Sequence, residues 1–116
     1  MRINKDISAI QHILDYCDRI ESTKEFFKAD VKAFEENHVF RDAVALCVLQ
    51  IGELTSVLSD EFKKKYRDIP WRQIKALRNI VAHKYGTIDS ELLWDIMIKD
   101  VPKLKEDCLL ILKNER

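Results

Sequence analysis

The amino-acid sequence predicts an all-α protein, an antiparallel bundle of four to five helices. Two observations carry that expectation. Only two glycines, two prolines and three threonines occur in 116 residues, so turn punctuation and β-branched polar residues are both scarce. Apolar residues recur at spacings of three and four along most of the chain, which is the repeat of a helical face rather than of a strand. Apolar residues make up 47% of the chain and charged residues 34%, enough for one core and a solvated face on each helix. At this length one domain, 1–116, is expected, burying roughly two thirds of the unfolded surface.

The first helix is expected from about Asn4 to Glu21, on the stripe Ile3, Ile7, Ile10, Leu14 and Cys17. Ser22-Thr23-Lys24-Glu25 has the form of a capping box and is expected to start a short second helix with Phe26, Phe27, Val31 and Phe34 on its apolar side. Asn37 is a candidate cap for a long third helix from about His38 to Lys65. Its stripe is Phe40, Val44, Cys47, Ile51, Leu54, Leu58 and Phe62. Pro70 suits the first turn of a fourth helix buried through Trp71, Ile74, Leu77 and Val81. Gly86 is placed to stop it. Asp89 is expected to cap a last helix, with Glu91 in its first turn and Ile88 stapled onto Leu93. That helix should continue through Ile96, Leu104, Cys108 and Ile111 to about Lys113. Pro102 lies inside it and is expected to kink or split it near Asp100.

Several function classes recede on bulk grounds. No window of 18 or more continuous apolar residues is present, so no transmembrane helix is expected. The start, Met1 to Asp6, lacks an apolar signal core, and a cytoplasmic location is expected. Cys17, Cys47 and Cys108 are scattered among apolar positions with no CxxC pair, which reads as reduced core thiols rather than a metal or disulfide set. The formal net charge is zero, yet Lys63, Lys64, Lys65, Arg67, Arg72, Lys75, Arg78 and Lys84 are opposed within their segment only by Asp68. That local excess suits a polyanion. The plainer reading of Lys63-Lys64-Lys65 alone is a solvated helix end beside the negative pole of the helix.

Within the basic segment lies Arg78-Asn79-Ile80-Val81-Ala82-His83-Lys84-Tyr85, followed at once by Gly86. These are the groups a metal-free phosphodiester site needs. Arg78 can grip phosphate with a planar fork of donors. His83 can move a proton near neutral pH, and Asn79 can orient it or donate to a phosphate oxygen. Lys75, Arg72 and Lys84 are candidate RNA or phosphate contacts. On an ideal helix Arg78 and His83 diverge by about 140°. Either the helix loosens at His83, or a second copy of the chain completes the site. Ordinary readings compete: a cation and an imidazole at a helix end can simply complement its dipole, and Tyr85 can be a packing residue. His12 and His38 have no partners at useful spacing, Trp71 and Trp94 fit core positions, and Glu53 is open between the cleft and the capping of a cation.

The pattern Arg-Asn-x3-His-x-Tyr, following Pro70-Trp71 in a helical chain of this length, resembles the signature of the HEPN superfamily, in particular its HepT-like toxins. Asp68-Ile69-Pro70-Trp71, Leu92-Leu93-Trp94 and Gln50-Ile51-Gly52-Glu53 resemble the family's usual surroundings. The core motif positions show no departure. The resemblance implies a HEPN-like two-fold dimer whose motifs face one cleft. It implies a metal-independent endoribonuclease, the toxin of a type VII-like toxin–antitoxin pair, with Arg78 and His83 catalytic, Asn79 supporting, and no cofactor. It further implies that Tyr85 accepts AMP from a partner nucleotidyltransferase antitoxin of the MNT type, which neutralises the toxin. The alternative is a non-catalytic nucleotide- or substrate-binding subunit of a minimal nucleotidyltransferase.

Overall fold

The long N-terminal stripe forms one helix, α1 (Arg2–Phe26), in a computed structural model that describes the backbone of residues 2–84 and 90–115 and the side chains of 5–83 and 90–115. After it come α2 (Val31–Glu36), α3 (His38–Ser56), α4 (Asp60–Lys65) and α5 (Trp71–Lys84). The chain ends with α6 (Ser90–Asp95), a π-helical turn (Ile96–Asp100) and α7 (Val101–Asn114). Among the described residues there is no strand, so the all-α bundle expected from periodicity is what forms. α3 lies between α1 and α5, and α7 packs on α1.

Three boundaries differ from expectation for identifiable reasons. The Ser22–Glu25 box does not start a helix. Thr23 Oγ1 instead donates back to Arg19 O at 2.8 Å, and α1 runs on to Phe26. The break comes at Lys28 and Ala29, whose φ values of 57° and 52° lie in the left-handed region. Bonds from Lys28 N to Glu25 O and from Ala29 N to Lys24 O close the helix end there. Asp30 then caps α2, accepting from Lys32 N at 3.0 Å.

The third helix also splits. Asn37 does cap α3, through Val39 N at 2.9 Å, but α3 ends at Ser56 rather than Lys65. Ser59 caps the separate α4, its Oγ accepting from Phe62 N at 3.1 Å. Acidic Asp60 and Glu61 open α4 and Lys63, Lys64 and Lys65 close it, the arrangement a helix dipole favours. Asp6, buried on α1, accepts from both Ser59 N (2.8 Å) and Ser59 Oγ (2.7 Å). Leu58 and Phe62 stay buried on either side of the cap, so the apolar repeat runs through a break that repeat alone conceals.

Pro102 acts as expected. It lies in the first turn of α7, and the five residues Ile96–Asp100 widen into a π turn in which Val101 N reaches back to Ile96 O. Gly86, Ile88 and Asp89 lie outside the described residues. Phe34 and Phe40 are fully buried, edge-on to each other, with Trp94 packed edge-on to both. Trp71 is buried too and donates Nε1–H to Tyr66 O at 3.1 Å. The three cysteines are buried free thiols. Burial pushes Cys17 up to about 12 and raises Cys47 and Cys108 as well, which makes all three poor nucleophiles. No described helix is long and apolar enough to cross a membrane.

Candidate functional site

Arg78 sits on the buried stripe of α5, four residues after Ile74 and three before Val81, both buried. A cation there needs an unusual neighbour, and Gly52 on α3 supplies it. A Cβ built on Gly52 would lie 2.0 Å from Arg78 Cβ and 2.7 Å from Arg78 Cγ. The absent side chain is therefore the space that the Arg78 stem fills. The next residue, Glu53, takes Arg78 Nε–H in a short charge-assisted hydrogen bond. Asn79 Oδ1 accepts from Arg78 Nη1 at 3.2 Å. The Arg78 side chain is 34% exposed and that of Glu53 53%, so the pair lies at the rim of the α3–α5 seam with an edge of the guanidinium open.

His83 is on a different face. Counting 100° per residue, Arg72, Asn79 and His83 fall within about 20° of one line, with Lys75 about 60° to one side of it. Arg72, Lys75, Asn79 and His83 are all exposed. From Arg72 to His83 that line runs about 16 Å along the helix. Among the described residues, the side chains of Arg72, Lys75 and His83 have neither an ion pair nor a hydrogen bond.

The structure thus brings Arg78, Asn79 and Glu53 together and leaves His83 one turn beyond Asn79, away from Arg78 and Glu53. α5 stays helical through His83 to Lys84, so loosening at His83, one of the two ways of uniting the motif, does not occur. Within one chain Arg78 and His83 remain about 140° apart. The Lys84 side chain and all of Tyr85 lie outside the described residues. His12 bonds Ser8 O through Nδ1 at 2.7 Å, and His38 is an exposed residue opening α3. Trp71 and Trp94 serve the core. No group of three or more His, Cys, Asp or Glu residues is clustered as a metal site would need, among the described residues.

One contributor, Gly52, is not legible in the sequence as part of the site, and another, Glu53, is legible only as an open alternative. Gly52 carries a signal, since an isolated glycine inside a helix often marks a close approach of another backbone or side chain. Nothing in the sequence says that the approaching residue is Arg78. Glu53 resolves as the cation's partner, one of the two roles left open for it.

Residues 13–111 match the family described as Ribonuclease HepT-like. The chain belongs to the HepT-like ribonuclease family. A Methanocaldococcus jannaschii protein named "Putative RNase MJ1380" is 38% identical over 94 residues, covering 81% of this chain and 84% of that one. A second protein of that organism, "Gamma-glutamylcyclotransferase and putative RNase MJ0434", is 36% identical over 114 residues, covering 97% of this chain but 50% of its own length. "Probable ribonuclease HepT" of Thermococcus cleftensis is 29% identical over 97 residues, with 81% of this chain and 86% of that protein covered. No solved structure matches the chain.

Proposed function

We propose that this HepT-like protein is a metal-independent endoribonuclease that works as a homodimer and serves as the toxin of a toxin–antitoxin pair. The observation that carries this reading is the seating of Arg78. Gly52 makes room for its stem, and Glu53 and Asn79 fix its guanidinium, while an exposed His83, without a partner among the described residues, stands on the same helix. A fixed cation and a free imidazole divide the labour of phosphodiester cleavage. His83 takes the proton of the ribose 2′-hydroxyl, or returns one to the departing 5′-oxygen. The 2′-oxygen attacks the adjacent phosphorus, the bond to the 5′-oxygen breaks, and a 2′,3′-cyclic phosphate results. Arg78 meets the charge that accumulates on the phosphorane oxygens. Asn79 has amide hydrogens left for a phosphate oxygen, because its Oδ1 is the atom engaged by Arg78.

The divergence of Arg78 and His83 on one unbroken helix favours a site completed by a second copy. A cleft of about 110 Å³ between α5 and α7, lined by Ile74, Leu77 and Leu104 together with Gln73, Asp100, Lys103 and Asp107, offers a mixed apolar and charged surface for such a contact. AMP on Tyr85 would set a negative adduct beside the motif's cations and exclude RNA. The test is RNA cleavage in the presence of chelator by wild type, Arg78→Ala and His83→Ala, with light scattering on each. Chelator-resistant cleavage by a dimeric wild type, abolished in both variants, is the expected result. Loss of cleavage on chelation, or full activity in either variant, refutes the assignment. Co-expression with the cognate nucleotidyltransferase should add AMP to Tyr85 and stop cleavage, and Tyr85→Phe should escape. An adduct elsewhere refutes that part.

A further inference from the structure

The turn from α4 to α5 forms a shallow, open groove lined by Lys63, Lys64, Arg67 and Arg72 together with Ile69, Pro70 and Trp71, with Asp60 as the one acid in its lining. We infer that this groove is a second anion site, which holds the phosphodiester backbone of single-stranded RNA outside the cleavage site. The inference rests on the ribonuclease reading above and adds a path for the substrate.

The first support is the state of the four cations. None of Lys63, Lys64, Arg67 and Arg72 has an ion pair or side-chain hydrogen bond among the described residues. Lys65, the third member of the lysine run, is different. It turns away to Glu115 at 2.6 Å, so the run divides into one structural lysine and two that face the groove. The dipole of α4 accounts for lysines at its own C-terminus. It does not account for Arg67, which lies beyond the helix. Nor does it account for Arg72, which sits in the first turn of α5, where no acidic residue is present and a cation is disfavoured. A bound anion would reverse that disadvantage.

The second support is rigidity. The groove's floor is tied by Ile69 N to Tyr66 O (3.1 Å), Trp71 N to Ile69 O (2.8 Å) and Trp71 Nε1 to Tyr66 O (3.1 Å). Tyr66 is itself held by a short hydrogen bond to Glu115. Cations on so fixed a turn need little ordering when they meet phosphate. The third support is continuity. Arg72 belongs both to the groove and to the line of α5 that passes Asn79 to His83, about 16 Å away. An RNA strand lying in the groove is thereby led along α5 to the proposed cleavage site. An acidic protein surface is the rival occupant, but it has no reason to follow that line.

The test measures binding of a labelled single-stranded oligoribonucleotide, long enough to span α5 and the groove, to the full chain carrying His83→Ala so that the RNA stays intact. Affinity is followed against salt. Removing one phosphate-binding cation should lower the slope of log K against log salt by about 0.7. Lys63→Ala, Lys64→Ala and Arg67→Ala combined should therefore lower it by about 2 and weaken binding tenfold or more. Lys32→Ala on α2, which removes a charge elsewhere, should leave the slope alone. Circular dichroism and melting of the triple variant establish that it is folded, and Arg67→Glu alone supplies a second reading if it is not. An unchanged slope in the folded triple variant or in Arg67→Glu overturns the proposal, as does an equal loss from Lys32→Ala. Weakened binding of polyglutamate with RNA affinity unchanged overturns it in favour of an acidic protein. Cleavage by the parent chain is scored separately: a lowered slope with no cleavage leaves the groove standing and the ribonuclease reading fallen.

Discussion

Arg78 and His83 lie five residues apart on one helix under opposite constraints. Arg78 is wedged against Gly52 and tied to Glu53 and Asn79. His83 stands in solvent with no described partner. The contrast follows from α5 having two working faces. The face turned to α3 can hold a group in one orientation, because neighbouring atoms exclude its other rotamers. The face turned outward can hold nothing still, but it leaves a side chain free to exchange protons and meet a ligand. A cation meant to match a transition state gains from the first setting, and a proton carrier gains from the second.

The largest expected effect comes from filling the space at Gly52. Gly52→Val places atoms where Arg78 Cβ and Cγ already are, and α3 and α5 must part. About 3 kcal/mol of stability should be lost, lowering the melting temperature on the order of 10 °C, with cleavage abolished. Thermal denaturation beside an RNase assay checks both. A normal melting temperature would show that the seam is not close-packed. Arg78→Ala should be the reverse case: cleavage down by about 10²-fold or more, and stability changed by no more than about 1 kcal/mol, because its ion pair is half exposed.

Asp6→Ala tests a part of the fold remote from the motif. It leaves Ser59 N without its acceptor, and about 2 kcal/mol should be lost, read by chemical denaturation. If the proposed division of labour holds, cleavage per folded molecule should hardly move. Glu53→Gln keeps an acceptor but removes its charge. Arg78 should become less well oriented, and kcat should fall about fivefold, the equivalent of roughly 1 kcal/mol, with KM little changed. A larger effect on KM would mean that Glu53 contacts substrate directly.

The smallest effect concerns pH. The Lys65 ammonium and the Tyr66 hydroxyl hold the Glu115 carboxyl below its usual range. That contribution is complete above the ordinary carboxylate pKa and is lost as pH falls through the depressed one. Burial and the bond to Glu115 push Tyr66 up to about 12 from 10.0. Its contribution is present below the ordinary phenol value and is lost as pH rises through about 12. Phenolate absorbance should accordingly show one late-titrating tyrosine, and Glu115→Gln should bring it back toward the ordinary value. Early titration of Tyr66 in the parent chain would rule out the clamp.

Much of this architecture is legible in the sequence, and the remainder is hidden for physical reasons. Helix content, the Asn37 cap, the disturbance before Pro102 and the core roles of Trp71 and Trp94 are local properties, written in spacing and cap chemistry. The break at Ser59 escapes a reading by periodicity because Leu58 and Phe62 keep the helical repeat across it, although Ser59-Asp60-Glu61 is itself a strong start signal. The apparent cap at Ser22–Glu25 yields to the continuation of α1, whose Ile20 is buried and favours the helix running on. The pairing of Glu53 with Arg78 joins residues 25 apart, and no local rule connects them. Arg78 itself is legible as a phosphate-binding cation, but not as one resting on a glycine.

The Asp6–Ser59 contact also orders events in time. α4 has six residues, far too few to persist unaided, and its cap is gripped by a side chain 53 positions earlier. Closing that loop carries an entropic penalty, which the docking of α1 on α3 and the burial of Phe62 offset. A chain whose first helix has frayed should therefore hold α4, and the basic groove beside it, less firmly. The amides of α4 should exchange with solvent in step with those of the first turns of α1, as one cooperative unit, though 53 positions separate Asp6 from Ser59 in the chain.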